Sequence, residues 1–175
     1  IIHHEAGHFL VAYLLGVPVR GCVTNAWDAL KYVLCMYVCM YMCVCICMYM
    51  YACICVSQKV TRSSLDRLSV VTMAGIAAEA IKFGNAEGGL NDERSLLGLL
   101  STSISPPWSI LRIQGQARWA VLQAIQLIRQ HPESYNAVVE ALQRGAGVGD
   151  VVCAIEQNLP ASLPSKTRTE QREAR

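Results

Sequence analysis

The pentapeptide His4-Glu5-Ala6-Gly7-His8 contains the residues of this sequence that are best suited to chemistry. Histidines at positions i and i+4 of a helix lie one turn apart on the same face, so both imidazoles can reach one metal ion. Zn²⁺ is the ion that such an H-E-x-x-H helix typically binds, through nitrogens at about 2.0–2.1 Å. We therefore predict that His4 and His8 bind Zn²⁺ and that Glu5 is the general base, taking a proton from the attacking water.

A catalytic zinc site normally has three protein ligands and one open position, so a third ligand must come from elsewhere in the chain. His3 points to another side of the same helix and is predicted not to bind the metal. His131, followed by Pro132, is expected to lie at a helix end, away from the site. The remaining candidates are the acidic residues Glu79, Glu87, Asp92 and Glu93.

Helical spacing of apolar residues dominates the sequence, which predicts an all-α, mainly helical fold with one edge strand. The first helix covers residues 1–15 and is stopped by the Gly-Val-Pro sequence at 16–18, and residues 19–32 are expected to form a strand and a turn. Ser63 and Asp66 have the spacing of a capping box, opening a helix that Gly84 ends. Further helices are predicted over residues 91–100, 109–130, 133–144 and 150–158, the last two separated by a glycine-containing linker at 145–149.

Residues 33–56 form a low-complexity tract of 24 residues without charge, glycine or proline. Its length and apolar character would suit a membrane span, and its β-forming residues would suit a buried or aggregation-prone strand. Its Cys, Met, Tyr, Val and Ile residues are also those that alternating T-G and T-A repeats encode. We favour the third interpretation, a translated repeat that entered through a retained intron or a wrongly assigned exon.

Bulk composition indicates one domain, residues 1–158, followed by a disordered tail, residues 159–175, rich in proline, serine and charge. The 15 basic and 13 acidic residues give a net charge of +2, too mild to predict a nucleic-acid partner. Seven of the nine cysteines lie in the tract at 33–56, which argues against a disulfide framework. The chain begins at Ile1, directly on the metal motif, so we expect that further sequence precedes it.

Three segments in this order resemble the peptidase domain of the FtsH family of membrane-anchored AAA zinc proteases: HHEAGHFLVAYLLG, LDRLSVVTMAGIAAEAIKFG and GGLNDE. The resemblance implies that Asp92 is the third zinc ligand and that Glu79 supports the site from beside a ligand. It implies polypeptide substrates, ATP-dependent proteolysis, and homo- or hetero-oligomers with FtsH-type subunits. The closest likeness in kind is to plant FtsH-like proteins without a recognisable ATPase, which suggests a chloroplast location with membrane association.

The sequence also departs from that family, because no segment matches the phosphate-binding pattern G-x-x-x-x-G-K-[ST]. The tract at 33–56 replaces the interval that in the family supplies a strand along the active-site cleft. The leading prediction is a zinc metalloendopeptidase. The alternative is a catalytically impaired or inactive FtsH-like subunit, acting in assembly or as a membrane-associated interaction protein held by the tract.

Overall fold

The structure, a computed structural model, describes residues 1–22, 50–52, 61–102, 104 and 107–160 of the chain. These residues form seven helices and two short strands, which confirms the prediction of a mainly helical fold. In chain order the elements are α1 (Ile2–Leu14), β1 (Val19–Cys22), β2 (Met50–Ala52), α2 (Arg62–Thr72), α3 (Ala74–Phe83), α4 (Gly89–Thr102), α5 (Ile110–Gln130), α6 (Pro132–Gln143) and α7 (Val148–Asn158).

Helix α1 lies at the centre of the core and packs against α2, α3, α5 and α6. Its segment from His4 to Ala12 is buried throughout, with Phe9 and Leu10 fully enclosed. The contact with α3 is unusually close, because a Cβ added at Gly7 would lie 2.6 Å from the Ala74 carbonyl oxygen. Small residues on both helices therefore bring the backbone of α3 directly against the helix that carries the metal motif.

The single helix predicted to run from Ser63 to Phe83 is interrupted at Met73, whose φ of −91° and ψ of 1° separate α2 from α3. Met73 is flanked by Thr72 and Ala74, and the nearest glycine, Gly75, is already the second residue of α3. Two hydroxyls in the last turns of α2 bond back to carbonyls four residues earlier, Ser69 to Leu65 and Thr72 to Leu68, both at 2.8 Å. Such bonds compete with the regular helical pattern and often bend a helix.

The predicted capping box at Ser63 and Asp66 is wrong. Helix α2 begins two residues earlier than that box requires, with Thr61 as its N-cap: the Thr61 hydroxyl accepts a hydrogen bond from the backbone N–H of Ser64 at 3.1 Å. Asp66 instead accepts from Arg62 Nε at 3.1 Å and from the Gln116 amide at 2.9 Å. Its carboxylate therefore joins α2 to α5 rather than closing the helix end.

The strand predicted after α1 is present as β1, which pairs antiparallel with β2. Val19 lies opposite Ala52 and Cys22 opposite Met50, with an irregularity in the pairing between Val19 and Gly21. Strand β2 falls inside the low-complexity tract, so three of its residues have β-structure. The rest of the tract and the tail beyond residue 160 lie outside the described residues, and the origin of the tract stays a prediction.

The C-terminal helices agree with the predicted ones to within two residues at each end. The fourth helix begins at Gly89, two residues before the predicted start, so Asp92 lies in its first turn rather than at its cap. The predicted glycine-containing linker is shorter than expected, since α7 already begins at Val148. Helices α6 and α7 pack on each other, and α6, whose side chains Tyr135 and Val138 are buried, also packs on α1. Among the described helices, none has both the length and the apolar character needed to cross a bilayer.

Candidate metal centre

Three potential metal-ligand atoms meet at one point in the core: His4 Nε2, His8 Nε2 and Asp92 Oδ2. The two imidazole nitrogens are 3.1 Å apart. The carboxylate oxygen lies 3.2 Å from the nitrogen of His4 and 3.5 Å from that of His8. Within the described part of the chain, this is the one group of histidine, cysteine and acidic side chains with the proximity that a shared ion requires.

The three residues come from two helices that are distant in sequence. The histidines share one face of α1, as their spacing predicts, and Asp92 reaches them from the first turn of α4. All three are buried, with exposed fractions of 7% for His4, 0% for His8 and 1% for Asp92. Of the other acidic candidates, Glu87 and Glu93 are exposed and lie outside this group.

The Nδ1 atom of His8 donates a hydrogen bond to a backbone carbonyl. His8 Nδ1 lies 2.7 Å from the backbone oxygen of Val71, and because a carbonyl only accepts, Nδ1 must donate. Val71 is in the last turn of α2, where helix carbonyls lack partners within the helix. The Val71 oxygen therefore orients the His8 ring, so that Nε2 is the ring nitrogen beside His4 and Asp92.

Glu79 orients the His4 ring in the same way and also connects α1, which carries the histidines, to the loop before α4, which carries Asp92. Its Oε1 accepts from His4 Nδ1 at 3.1 Å, while its Oε2 accepts from the backbone N–H groups of Glu87 and Gly88, both at 2.9 Å. Metal-binding histidines usually donate their second ring N–H to a carboxylate or carbonyl, which sets the tautomer. The loop held by Oε2 leads directly into α4 and so fixes the approach of Asp92.

These geometries fit a metal ion. Because each Nδ1 faces an oxygen acceptor, Nε2 is the ring nitrogen that can bind an ion, and neither oxygen of Asp92 has a hydrogen-bond partner among the described residues. A shared proton would join only one pair of the three atoms, whereas a divalent cation satisfies them all. Ligands about 2.0–2.1 Å from a tetrahedral Zn²⁺ are about 3.3–3.4 Å apart. The three measured separations, 3.1, 3.2 and 3.5 Å, lie around this value.

The electrostatics favour an ionised carboxylate at the centre. Burial opposes the charge on Asp92, but close contact with the His4 and His8 imidazoles, when these carry a proton on Nε2, outweighs that effect, and the pKa of Asp92 is lowered below its usual value. The carboxyl is thus in its ligating form at neutral pH. Glu5, beside His4 on α1, is 1% exposed and lies about 60° from His8 around the helix axis. Its carboxylate is therefore in the protein interior, next to the ligand face of α1.

His3 and His131 lie outside the group of ligand atoms, as predicted from the sequence. His3 Nδ1 is 3.1 Å from the Tyr135 hydroxyl, and the same hydroxyl donates to the His3 backbone oxygen at 3.1 Å. Burial, and then the nearby Glu79 carboxylate, raise the pKa of Tyr135 to about 12, so the hydroxyl keeps its proton. His131 Nδ1 bonds to the Leu127 carbonyl at 2.9 Å, at the junction of α5 and α6.

Sequence reasoning missed two groups around the centre. The Val71 carbonyl is a backbone atom at an unmarked helix end, and nothing in its residue type indicates a contact with His8. Tyr135 holds the first turn of α1 from a helix that begins 118 positions after Leu14, and no motif includes it. Both depend on how the helices pack, so no local pattern could have identified them.

Comparison with known proteins adds no family to this picture. No protein-family model matches the chain, and no curated protein matches it either. The resemblance to FtsH peptidases therefore rests on the three sequence motifs alone.

Proposed function

We propose that the chain is a zinc metalloendopeptidase domain of the FtsH type, which hydrolyses polypeptides. One observation carries the proposal: His4, His8 and Asp92 each bring one potential ligand atom to the same point, although the aspartate is 84 residues from the nearer histidine. Burying two imidazoles and an unpartnered carboxylate is costly unless a cation compensates. Two histidines and one carboxylate form the ligand set of many catalytic zinc sites.

Each residue would have a distinct part in hydrolysis. His4, His8 and Asp92 would hold the ion, and the chemistry that it would supply is a bound water with a pKa of about 7 and polarisation of the substrate carbonyl. Glu5 accepts the proton that the attacking water gives up and returns it to the amine leaving group, so that one water and one amide yield an acid and an amine. Glu79 keeps the His4 ring in the tautomer with a free Nε2.

The Glu5→Gln variant tests the enzymatic claim, because it removes the base and leaves the three ligands in place. We expect wild type and variant to bind one zinc per chain, measured by elemental analysis, and only the wild type to cleave casein. Asp92→Asn is the companion variant, expected to lose zinc and activity together. Elemental analysis also identifies the ion, since two histidines and a carboxylate can hold iron(II) as well.

The outcomes separate the proposal from its alternative. If wild type and Glu5→Gln cleave casein at the same rate, Glu5 is not the base and the proposed mechanism fails. If both bind zinc and neither cleaves, the chain is better described as the inactive FtsH-like subunit that acts in assembly or at a membrane. By resemblance alone, we also propose oligomers with FtsH-type subunits, ATP-driven substrate delivery by such partners, and a chloroplast location.

A further inference from the structure

We propose that Gly75 determines whether the site can hold a metal ion at all, because only a residue without a side chain leaves room for the ion beside His4 and His8. Gly75 lies in the first turn of α3 and offers no ligand atom of its own. The inference rests on the proposed metal centre and adds to it a residue that acts by leaving space.

The distances carry this inference. A Cβ built at Gly75 would lie 2.4 Å from His4 Nε2 and 2.5 Å from His8 Nε2. A bound zinc ion must lie about 2.0–2.1 Å from the same two nitrogens. A methyl group at position 75 would therefore crowd the region that the ion needs, as well as the two nitrogens themselves.

The backbone conformation does not explain a glycine here. Among the described glycines, positive φ values occur at Gly16, Gly84 and Gly145, and Gly75 is not one of them. An alanine could adopt the same backbone conformation, because only a positive φ favours glycine over other residues. The nearest neighbours of the missing side chain are the two ligand rings, so the space beside those rings is the reason that the structure offers for glycine at this position.

The protein has little freedom to absorb a side chain at position 75. To make room, helix α3 would have to move away from α1, which would open the contact where a Cβ at Gly7 would lie 2.6 Å from the oxygen of the fully buried Ala74. The alternative is for the imidazoles to turn away. That movement would break the hydrogen bonds from His4 to Glu79 and from His8 to the Val71 carbonyl, which set the ligand tautomers.

The test is a zinc titration of the metal-free chain against a chromophoric chelator, with Gly75→Ala as the variant. Gly115→Ala is the matched control, since it adds the same methyl inside a helix where nothing lies within 4 Å of the new Cβ. We expect Gly115→Ala to bind zinc like the wild type and Gly75→Ala to bind at least 100-fold more weakly. Wild-type affinity in Gly75→Ala overturns the role of Gly75 alone. A wild-type chain that binds no zinc overturns the metal centre itself.

A second measurement keeps the inference testable if Gly75→Ala folds poorly. Thermal unfolding in EDTA is compared for Gly75→Ala in the wild-type background and in a background with His4→Ala and His8→Ala. Because the clash is with the two rings, removing them should make the added methyl less damaging, and the loss in Tm should shrink. An equal or larger loss without the rings would show that the methyl meets something else, and would overturn the inference.

Discussion

Replacing Glu79 by glutamine should weaken zinc binding although Glu79 is not predicted to touch the ion. The carboxylate accepts on both sides, from His4 Nδ1 through Oε1 and from the N–H groups of Glu87 and Gly88 through Oε2. An amide has only one accepting atom. If its oxygen faces His4, its NH₂ group faces two backbone donors. If it is turned round, the NH₂ faces Nδ1 and favours the tautomer with a proton on Nε2, the atom that must bind the ion.

The expected loss of zinc affinity follows from the hydrogen bond between Glu79 and His4, a predicted metal ligand. Loss of a hydrogen-bond partner of a metal-binding histidine typically lowers metal affinity by about 10- to 100-fold. This corresponds to about 1.4–2.7 kcal/mol of binding free energy. One orientation of the glutamine leaves two backbone N–H groups without an acceptor, and the other favours a proton on Nε2, the atom that must bind the ion. Glu79 also holds the loop before α4, so we expect the upper half of this range.

The assay is competitive zinc titration at pH 7.5, with the dissociation constant as the measured quantity. Glu93→Gln is the control, because it makes the same change in an exposed side chain next to Asp92. It also tests the earlier candidacy of Glu93 as a ligand. A dissociation constant for Glu79→Gln within twofold of that for Glu93→Gln would refute the reasoning on tautomer control.

Two further predictions concern the frame around the site. Gly7→Ala should lower the free energy of unfolding by about 1–3 kcal/mol, because the new Cβ would lie 2.6 Å from the backbone of α3. Urea unfolding measures this change, and an unchanged midpoint would contradict the close packing of α1 on α3. Thr61→Ala should cost about 1 kcal/mol by removing the N-cap of α2, whereas Ser63→Ala, inside the helix and exposed, should cost much less. If the Ser63 variant has the larger effect in thermal unfolding, the cap is at the position that the sequence first suggested.

The sequence by itself determined the parts of this protein that depend on neighbours within a helical turn. His4 and His8 share a helix face because α-helical geometry places residues i and i+4 together. Apolar spacing and the glycine and proline stops predicted the helices and most of their ends, and Gly84 adopts the left-handed conformation that ends α3. The acidic residues were different, since Glu79, Glu87, Asp92 and Glu93 look equally suitable as a third ligand until the motif resemblance ranks them.

Only the tertiary structure decided what surrounds the histidine pair. The packing of α4 buries the Asp92 carboxylate against two imidazoles and leaves Glu87 and Glu93 in solvent. The Val71 carbonyl orients His8, and the absence of a side chain at position 75 keeps the centre open. These features arise from contacts between segments that are far apart in the chain. The spacing of residues along the chain cannot predict such contacts, because they form, and stabilise the protein, only when the helices pack together.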